Sequence, residues 1–281
     1  MEKRMPLFSV IIMMVVVVCS LPALALPPMG PPKAILGENR WAIGFEYAHQ
    51  KMDLELFGKT REDLGAGWLP WDYTKYKIED LTSNMFLGSL GYGICENLDA
   101  FVYAGAASDK DDITEILGNG SSGNQYYGSS GDYEAAWGFG ARATFYQDGN
   151  LTWGGLFQMV WSGIDSSNLK LQGDPVFSGD LKLDFWEIQV AAGPTIQLDG
   201  FSIYGGPFLH FVKGDMELEG TTVSMGTTQR VMSKADIREE SNFGAYVGAQ
   251  WDIAEDTFWY TEYQFTGDAW GAGMGIVWKF Q

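Results

Sequence analysis

Two histidines, His49 and His210, are the side chains of this chain best suited to act as a general base near neutral pH. An imidazole becomes catalytic when a nucleophile or an orienting carboxylate lies within hydrogen-bond reach. No serine is placed near His49 in the sequence to suggest an acyl hydrolase, and a histidine among carboxylates, as expected for His210, is more often a structural hydrogen-bonding partner. We therefore predict that the protein is not an enzyme and uses no cofactor.

Two further motifs resemble ligand sites but lack the required context. Residues Gly118–Gly123 match Gly-x-Gly-x-x-Gly, although a dinucleotide-binding loop must join a strand to a helix, and this stretch is rich in Gly and Ser. The acidic run Asp109–Asp112 with Glu115 lacks the spacing of a calcium-binding loop. Both segments are predicted to be solvated loop, and no metal site is expected.

The last strand-like segment, Trp270–Phe280, has large or apolar residues at every even position and mostly glycine at the odd positions. Successive side chains of a β-strand point to opposite faces, so one face of this segment is continuously apolar. Aromatic residues stand at both ends of that face. This pattern is typical of a strand that contacts lipid and has aromatic residues at the two membrane interfaces.

This segment resembles the closing strand of bacterial outer-membrane β-barrels, a superfamily that includes small porin-like and surface-protein barrels. Gly275, Trp278 and Phe280 match the Gly-x-x-apolar-x-aromatic assembly signal of that superfamily, whereas Gln281 after the terminal aromatic departs from it. The resemblance implies an all-β, transmembrane, antiparallel up-and-down barrel in the outer membrane of a Gram-negative-type bacterium. It also implies the barrel-assembly machinery as a partner, and it names no substrate.

The N-terminus has the three parts of a secretory signal peptide. Lys3 and Arg4 precede an apolar core, and Ala23–Ala25 supplies the small residues expected before a cleavage site near Ala25. We therefore divide the chain into a signal peptide at 1–25, a Pro-rich periplasmic lead-in at 26–38 and one barrel domain at 39–281. A membrane-anchoring helix is the alternative, but its apolar core would be short.

Loss of the leader leaves 16 basic and 35 acidic residues, a net charge of about −19, which makes nucleic acid an unsuitable partner. Only Cys95 remains after cleavage, so an intramolecular disulfide is excluded.

Ten segments have the alternation and the length of membrane-crossing strands. They are 40–56, 76–94, 98–108, 133–147, 150–164, 181–198, 201–214, 240–253, 257–266 and 269–280. Tight turns alternate with longer polar connections at 57–75, 109–132, 165–180 and 215–239, as in barrels with short periplasmic turns and long surface loops. Eight or twelve strands stay possible, because 167–172 and 221–232 could be extra hairpins or extensions of strands above the bilayer.

The alternation also predicts which side chains face the lumen. Arg142 falls on an inward row with Gly138, Gly140 and Thr144, and an inward arginine requires acceptors. Its candidate partners are Glu46, Glu187 and Glu262, and His210 belongs to the same predicted lumen network. The face of 98–108 stays undecided. The alternative to a filled lumen is a narrow polar passage.

The sequence favours a structural or surface-interaction barrel with acidic external loops, whose expected partners are outer-membrane lipid and lipopolysaccharide; its external ligand is unknown. A narrow passive channel is the alternative, and a barrel enzyme is more remote. Ten strands are similar to those of the omptin proteases, but Phe208-Leu209 before His210 lacks that family's Asp-x-His motif. Trp68, Trp71, Tyr73 and Tyr76 could stack on sugars or anchor an adhesive contact, although an interfacial aromatic girdle is the simpler interpretation.

Overall fold

The computed structural model describes residues 27–117, 121–127, 133–171, 174–224, 226–238 and 242–281, and the predicted signal peptide lies outside these ranges. The described residues form twelve β-strands. They are β1 Trp41–Asp63, β2 Asp72–Cys95, β3 Leu98–Leu117, β4 Ser121–Tyr127, β5 Glu134–Asp148, β6 Leu151–Leu171, β7 Asp174–Gln197, β8 Phe201–Ser224, β9 Thr227–Arg238, β10 Phe243–Ala254, β11 Thr257–Phe265 and β12 Ala269–Phe280. No helix in these ranges has the length and apolar character needed to cross a membrane.

The strands form an antiparallel sheet that closes on itself. Except for β4–β5 and β9–β10, each strand pairs with the next strand along the chain, and β12 pairs with β1 from Trp41↔Phe280 to Met52↔Ala269. β4 and β5 both run antiparallel to β3, and β9 and β10 both run antiparallel to β8. Each of these two pairs is therefore one pass of the chain in two pieces. The result is a ten-stranded ring, which confirms the predicted strand count.

The closed sheet continues beyond the hairpin of β11 and β12, and this further part has eight strands. Past that hairpin, β9 pairs directly with β1 from Glu55↔Arg238 to Asp63↔Arg230, and β4 pairs with β3 and β6. We call this eight-stranded part the extension. It consists of 51–63, 72–83, 108–117, 121–127, 164–171, 174–185, 212–224 and 227–238.

Most of the four long connections predicted from the sequence are therefore strand, and that part of the prediction is wrong. Among the described residues, 64–71, 133, 226, 242 and 266–268 lie between strands on this side. The polar character of the predicted connections belongs to alternate residues, while the residues between them are apolar and buried, such as Leu169, Phe177 and Leu218. A segment that buries every second side chain gains more as a paired strand than as a solvated loop.

Tight turns close the opposite end of the ring. Four of them, at 96–97, 149–150, 198–200 and 255–256, lie between successive strands, as predicted. Gly149 and Gly200 adopt positive φ angles of 56° and 79°, which glycine reaches without steric cost. The described chain also enters and leaves the ring at this turn end, at Trp41 and Phe280.

The polarity of the two faces inverts between the ring and the extension, whereas the side chains keep their alternating directions. On β1, Phe45 and Tyr47 point outward and Glu46 points inward, whereas farther along the same strand Asp53 points outward and Leu54 points inward. The segment with an undecided face follows the ring pattern, because Phe101 and Tyr103 are buried inside and Val102 is exposed.

Candidate functional site

An apolar belt surrounds the ten-stranded ring. The outward row of β1 between Trp41 and His49 spans nine residues, close to the ~9–11 that cross a bilayer when tilted. The same rows on the other ring strands carry no charged side chain in the described part. Their exposed apolar members include Phe86, Leu90, Val102, Trp137, Phe139, Trp153, Phe157, Val190, Ile203, Leu209, Val247, Tyr263, Ile276 and Trp278.

Aromatic pairs mark both borders of this belt. At the turn end, Trp41 lies 4.7 Å from Tyr92 between ring centroids, and Trp251 stacks on Trp259 at 4.9 Å. At the border with the extension, Tyr263 lies 5.9 Å from Trp270. A lysine or arginine facing lipid at the midplane costs about 2–4 kcal/mol, so an uncharged belt between two aromatic borders is what a bilayer requires. The fold is that of a bacterial outer-membrane β-barrel.

Comparison with known proteins gives only distant similarities to this barrel. No family model matches the sequence, and no curated protein matches it. The outer membrane protease OmpT from Escherichia coli superposes with a TM-score of 0.48 and 8% identity, over 88% of this chain and 99% of that one. The outer membrane protein OprG from Pseudomonas aeruginosa gives 0.44 and 11% over 88% and 98%. Similarity at this level carries no argument about function, and the fold rests on the strand pairings.

The five residues predicted to form a lumen network all lie buried inside the barrel. Glu187 and His210 form the contact nearest the extension, with 3.0 Å between Glu187 Oε2 and His210 Nε2. Gln50 donates from Nε2 to Glu187 Oε1 at 3.1 Å. Glu187 is therefore held by one neighbour from the adjacent strand β8 and one from β1 across the lumen, an arrangement that satisfies a buried carboxylate without exposing it.

Glutamine side chains connect the facing walls of the lumen. Gln158 donates to Gln189, Gln189 donates to Gln264 Oε1 at 2.8 Å, and Gln264 donates to Glu262 Oε1 at 2.6 Å. These four residues come from β6, β7 and β11. A chain of amide groups can both donate and accept at each step, so it fills the lumen with mutually satisfied polar groups.

Arg142 lies in the lumen, but its direct partner differs from the prediction. The guanidinium donates from Nη2 to the main-chain carbonyl of Met29 at 3.0 Å and lies 4.5 Å from the ring centre of Phe101. In the described ranges no carboxylate oxygen lies within the 4.0 Å that defines an ion pair with it. Glu46 and Asp99 line the same small cavity as Arg142, about 20 Å³, which is room for one water molecule.

The residues after the predicted leader pass through the lumen. We call 27–36 the inner segment; its main chain accepts and donates hydrogen bonds along its length. Met29 N donates to Glu262 Oε1 at 2.8 Å, and Pro27 O accepts from Gln158 and Gln264 at 3.0 and 3.1 Å. Farther along, Leu36 N donates to Asp99 Oδ2 at 3.2 Å. The inner segment supplies the lumen with partners that the strands alone do not.

The composition of the inner segment suits this position. Pro27, Pro28, Pro31 and Pro32 lack an N–H group, so a proline-rich backbone brings few donors that need acceptors inside the barrel. Glycines on the walls make the room: a Cβ at Gly154 or Gly273 would collide with Pro32 or Pro28. Sequence reasoning missed this placement, and the inward glycine row of β12 was the available signal.

The lumen therefore offers buried contacts rather than a reaction centre. His210 and Glu187 are 0% and 2% exposed, so a substrate has no access to them in this arrangement. Within the described residues no group of three His, Cys, Asp or Glu side chains could hold a metal ion. Cys95 is exposed at the turn end, far in the sequence from either histidine.

The interior of the extension is an apolar core. Tyr76 is fully buried there and donates to Ser233 Oγ at 2.6 Å, with Thr60 Oγ1 3.0 Å from the same oxygen. Tyr76 is thus an inward residue and not part of an aromatic girdle. The remaining buried apolar side chains from the facing strands are Leu54, Leu56, Ile78, Leu81, Leu169, Phe177, Leu181, Leu183, Phe185, Met216, Leu218, Ala235 and Ile237.

The outside of the extension is charged, as a water-facing surface should be. Lys182 lies 3.3 Å from Asp184, and Lys234 forms an ion pair with Glu217. The hydrogen bond that Lys182 donates to Asp184 raises the pKa of Lys182, and the hydrogen bond from Lys234 lowers the pKa of Glu217. Both pairs are exposed, so each contributes little to stability.

The three residues of the predicted assembly signal lie on β12, which closes the ring. Trp278 and Phe280 point outward with 5.5 Å between their ring centres, at the turn-end border of the belt. Gly275 points inward, where a Cβ would collide with the ring of Tyr260. The glycine therefore has a packing reason for its presence besides any part in recognition by the assembly machinery.

Proposed function

We propose that this protein is an integral outer-membrane barrel with a structural or surface-interaction role, whose lumen does not conduct. The observation that carries the proposal is that the interior is filled at two successive levels along the barrel axis. The inner segment occupies the lumen of the ring, and the apolar core occupies the extension. A passive channel needs a continuous hydrated path, and each of these fillings interrupts it.

The orientation of the barrel follows from the lengths of its connections. Outer-membrane barrels place short turns in the periplasm and longer connections outside, so the turn end faces the periplasm and the extension stands outside the cell. A signal peptide at 1–25 would deliver the chain to that compartment. Its expected partners there are membrane lipid, lipopolysaccharide and the barrel-assembly machinery.

Orientation is tested with epitope tags on intact cells. A tag inserted between Gly65 and Gly67, in the connection of β1 and β2, should be labelled by antibody without permeabilisation. A tag at Asp148–Gly149, in a tight turn, should be labelled only after permeabilisation. The reverse pattern would place the extension in the periplasm and remove the surface role.

Conductance separates the proposed role from a narrow channel. Purified protein comprising residues 26–281 should give no discrete conductance in planar bilayers. Deletion of 27–36 should leave it closed because the extension core remains, and so should serine substitutions at Leu54, Leu183 and Leu218 alone. The deletion and the serine substitutions combined should conduct.

Steady conductance of the unmodified protein would overturn the proposal. If that conductance also responded to Arg142→Ala, the path would run through the lumen, and the passive-channel function would replace the structural one.

A further inference from the structure

The outer face of the β1–β2 hairpin carries alternating aromatic and cationic side chains. Lys75 Nζ lies 5.1 Å from the ring centre of Phe57, and Lys59 Nζ lies 5.3 Å from that of Tyr73. Next along the hairpin, Arg61 Cζ lies 4.5 Å from the rings of both Trp68 and Trp71. We call this set the outer strip. Its members are Phe57, Lys59, Arg61, Trp71, Tyr73 and Lys75.

The outer strip lies well outside the membrane. The apolar row of β1 ends at His49, and Lys51 is the first outward charge. Arg61 is ten residues farther along the strand, which corresponds to about 33 Å of strand length. Trp68, Trp71 and Tyr73 therefore cannot belong to an interfacial girdle, and the simpler sequence interpretation of these aromatics does not hold.

The ring faces of the outer strip are available to a ligand. Tyr73 is 79% exposed and Trp71 41%. A groove of about 540 Å³ lies beside Phe57, Lys59, Tyr73 and Lys75 and is bordered on the β9 side by Lys234 and Asp236. The groove is open and crosses the adjacent strands β9, β1 and β2, a shape that suits an extended chain rather than a compact small molecule.

Two cations of the outer strip have no acidic partner in the described part of the chain. Lys59 contacts the Tyr73 ring, and Arg61 contacts two indoles and the sulfur of Met232. Arg61 Nε is buried without a hydrogen-bond acceptor among those residues. Lys75 and Lys234, by contrast, are already paired with Glu55 and Glu217. The positive charges left to a ligand are therefore at Lys59 and Arg61.

The distribution of charge around the extension points the same way. Among the described side chains of the extension, the outward rows of β9, β1 and β2 carry seven cations and four carboxylates: Lys51, Lys59, Arg61, Lys75, Lys77, Arg230 and Lys234 against Asp53, Glu55, Asp63 and Asp236. The outward rows of β7 and β8 are acidic by comparison, with Asp180, Asp184, Asp215, Glu217 and Glu219 against Lys182 and Lys213. An anionic ligand would be repelled least on the face that bears the outer strip.

We propose that the outer strip binds an extended acidic polysaccharide from outside the cell. The C–H faces of sugar rings stack on the exposed rings of Tyr73 and Trp71, and carboxylate groups of the chain pair with Lys59 and Arg61. One aromatic and one cationic residue face each other across the hairpin at every second position, so successive sugars meet similar pairs of contacts. The proposal rests on the surface-interaction role and names the class of its partner.

Binding is measured by titration calorimetry of the full mature protein in detergent. The probe is an oligogalacturonate, a chain of uronic acids, and the neutral control is a maltooligosaccharide of the same length. Tyr73→Ala and Trp71→Ala should each weaken oligogalacturonate binding at least tenfold. Lys59→Gln with Arg61→Gln should weaken it at least fivefold and reduce its dependence on salt.

Matched variants control for general damage. Lys182→Gln removes a cation from the acidic face of the same extension, and Tyr146→Ala removes an exposed aromatic at the turn end. Both should bind like the unmodified protein. Heat-modifiable migration of every variant verifies that the barrel is intact.

Oligogalacturonate binding that is absent at millimolar concentration, or unchanged in the strip variants, would overturn the proposal. Equal binding of the neutral oligosaccharide would contradict the proposal that the ligand must be acidic. Tighter binding of purified lipopolysaccharide would identify a ligand in the same membrane instead. If the barrel does not conduct and the outer strip does not bind, the structural role stands and only the ligand proposal is overturned. The two proposals are therefore tested independently.

Discussion

The ten-stranded ring and the extension share six strands, β1–β3 and β6–β8, and the polarity of the two faces is opposite in the two parts. In the ring, β1 turns Phe45 outward and Glu46 inward; in the extension it turns Asp53 outward and Leu54 inward. The two-residue period is unchanged across the border. The surroundings change: the ring is bathed in lipid and the extension in water. Which class of residue a β-barrel buries therefore depends on its solvent and not on its backbone.

The interiors of the ring and the extension also differ in the interactions that they need for stability. An apolar core is satisfied by packing alone, and each fully buried Leu or Phe contributes about 1.5–3 kcal/mol. A polar lumen must pair every buried donor and acceptor, because an unpaired one costs about 1–3 kcal/mol. The inner segment meets part of this demand, because its main chain bonds to Glu262, Gln158 and Asp99. Among the described residues, buried atoms such as Arg142 Nε and Glu46 Oε2 have no hydrogen-bond partner. The extension needs no such insert.

The largest effect is expected from removing β12, one of the strands that belong only to the ring. The ring closes through β12 on β1, whereas the extension closes through β9 on β1. Deletion of 270–281 should abolish membrane insertion, since the ring would keep two unpaired edges in lipid. Deletion of Gln281 alone is the control and should insert normally. A heat-modifiable barrel formed by the truncated chain would show that β12 is dispensable.

A buried charge should separate the two faces of the extension. Leu183→Asp places a carboxylate in the apolar core and should destabilise the extension by about 3–5 kcal/mol. Lys182→Asp, one residue away on the outer face, should leave the stability nearly unchanged. Urea unfolding in detergent measures both. Similar values for the two variants would mean that water already fills the interior of the extension.

Loss of an anchor should loosen the inner segment without opening the extension. Asp99→Ala leaves Ile35 N and Leu36 N without their acceptor, at a cost of about 1–3 kcal/mol. In a Cys95→Ser background, a cysteine at Met29 should then react faster with a water-soluble maleimide. Thr266→Ala, at the opposite end of the ring, is the control and should leave the rate unchanged. An unchanged rate in the Asp99 variant would contradict the anchoring.

The smallest effect is expected on the outer surface of the extension. Lys234→Gln removes an exposed ion pair and should change stability by less than about 0.5 kcal/mol. Because Lys234 lowers the pKa of Glu217, any contribution is present above the unfolded pKa of the carboxyl and is lost as the pH falls through its folded value. A stability difference between the variant and the unmodified protein that persisted in acid would have a cause other than this ion pair.

The ring could be predicted from the sequence because its lipid-facing residues follow a simple alternating pattern. Rows such as Trp41, Ile43 and Phe45 exclude charge completely, so alternation alone gives the strands and their faces. The extension could not be recognised as easily. Its outward residues are charged and its segments are rich in Gly and Ser, so 57–75 and 165–180 have the composition of loops although alternate residues are buried.

The lumen was predictable in membership but not in contacts. The period places Arg142, Glu46, Glu187, Glu262 and His210 inside, and the structure has them there. The acceptor for Arg142 is the carbonyl of Met29, 113 residues away, and Pro27 contacts Gln264, 237 residues away. Main-chain partners have no sequence signature, and no local pattern shows that a proline-rich segment folds back into the barrel that follows it.

The central claim is that the apolar face of the sheet points outward in the ring and inward in the extension, and that the interiors of both parts are filled. Single cysteines in a Cys95→Ser background test this at Phe45, Asp53 and Leu54, in lipid nanodiscs with a membrane-impermeant maleimide. Labelling should be rapid at Asp53 and absent at Phe45, which faces lipid, and at Leu54, which faces the apolar core. Rapid labelling at Leu54 would show a water-filled interior and contradict the claim.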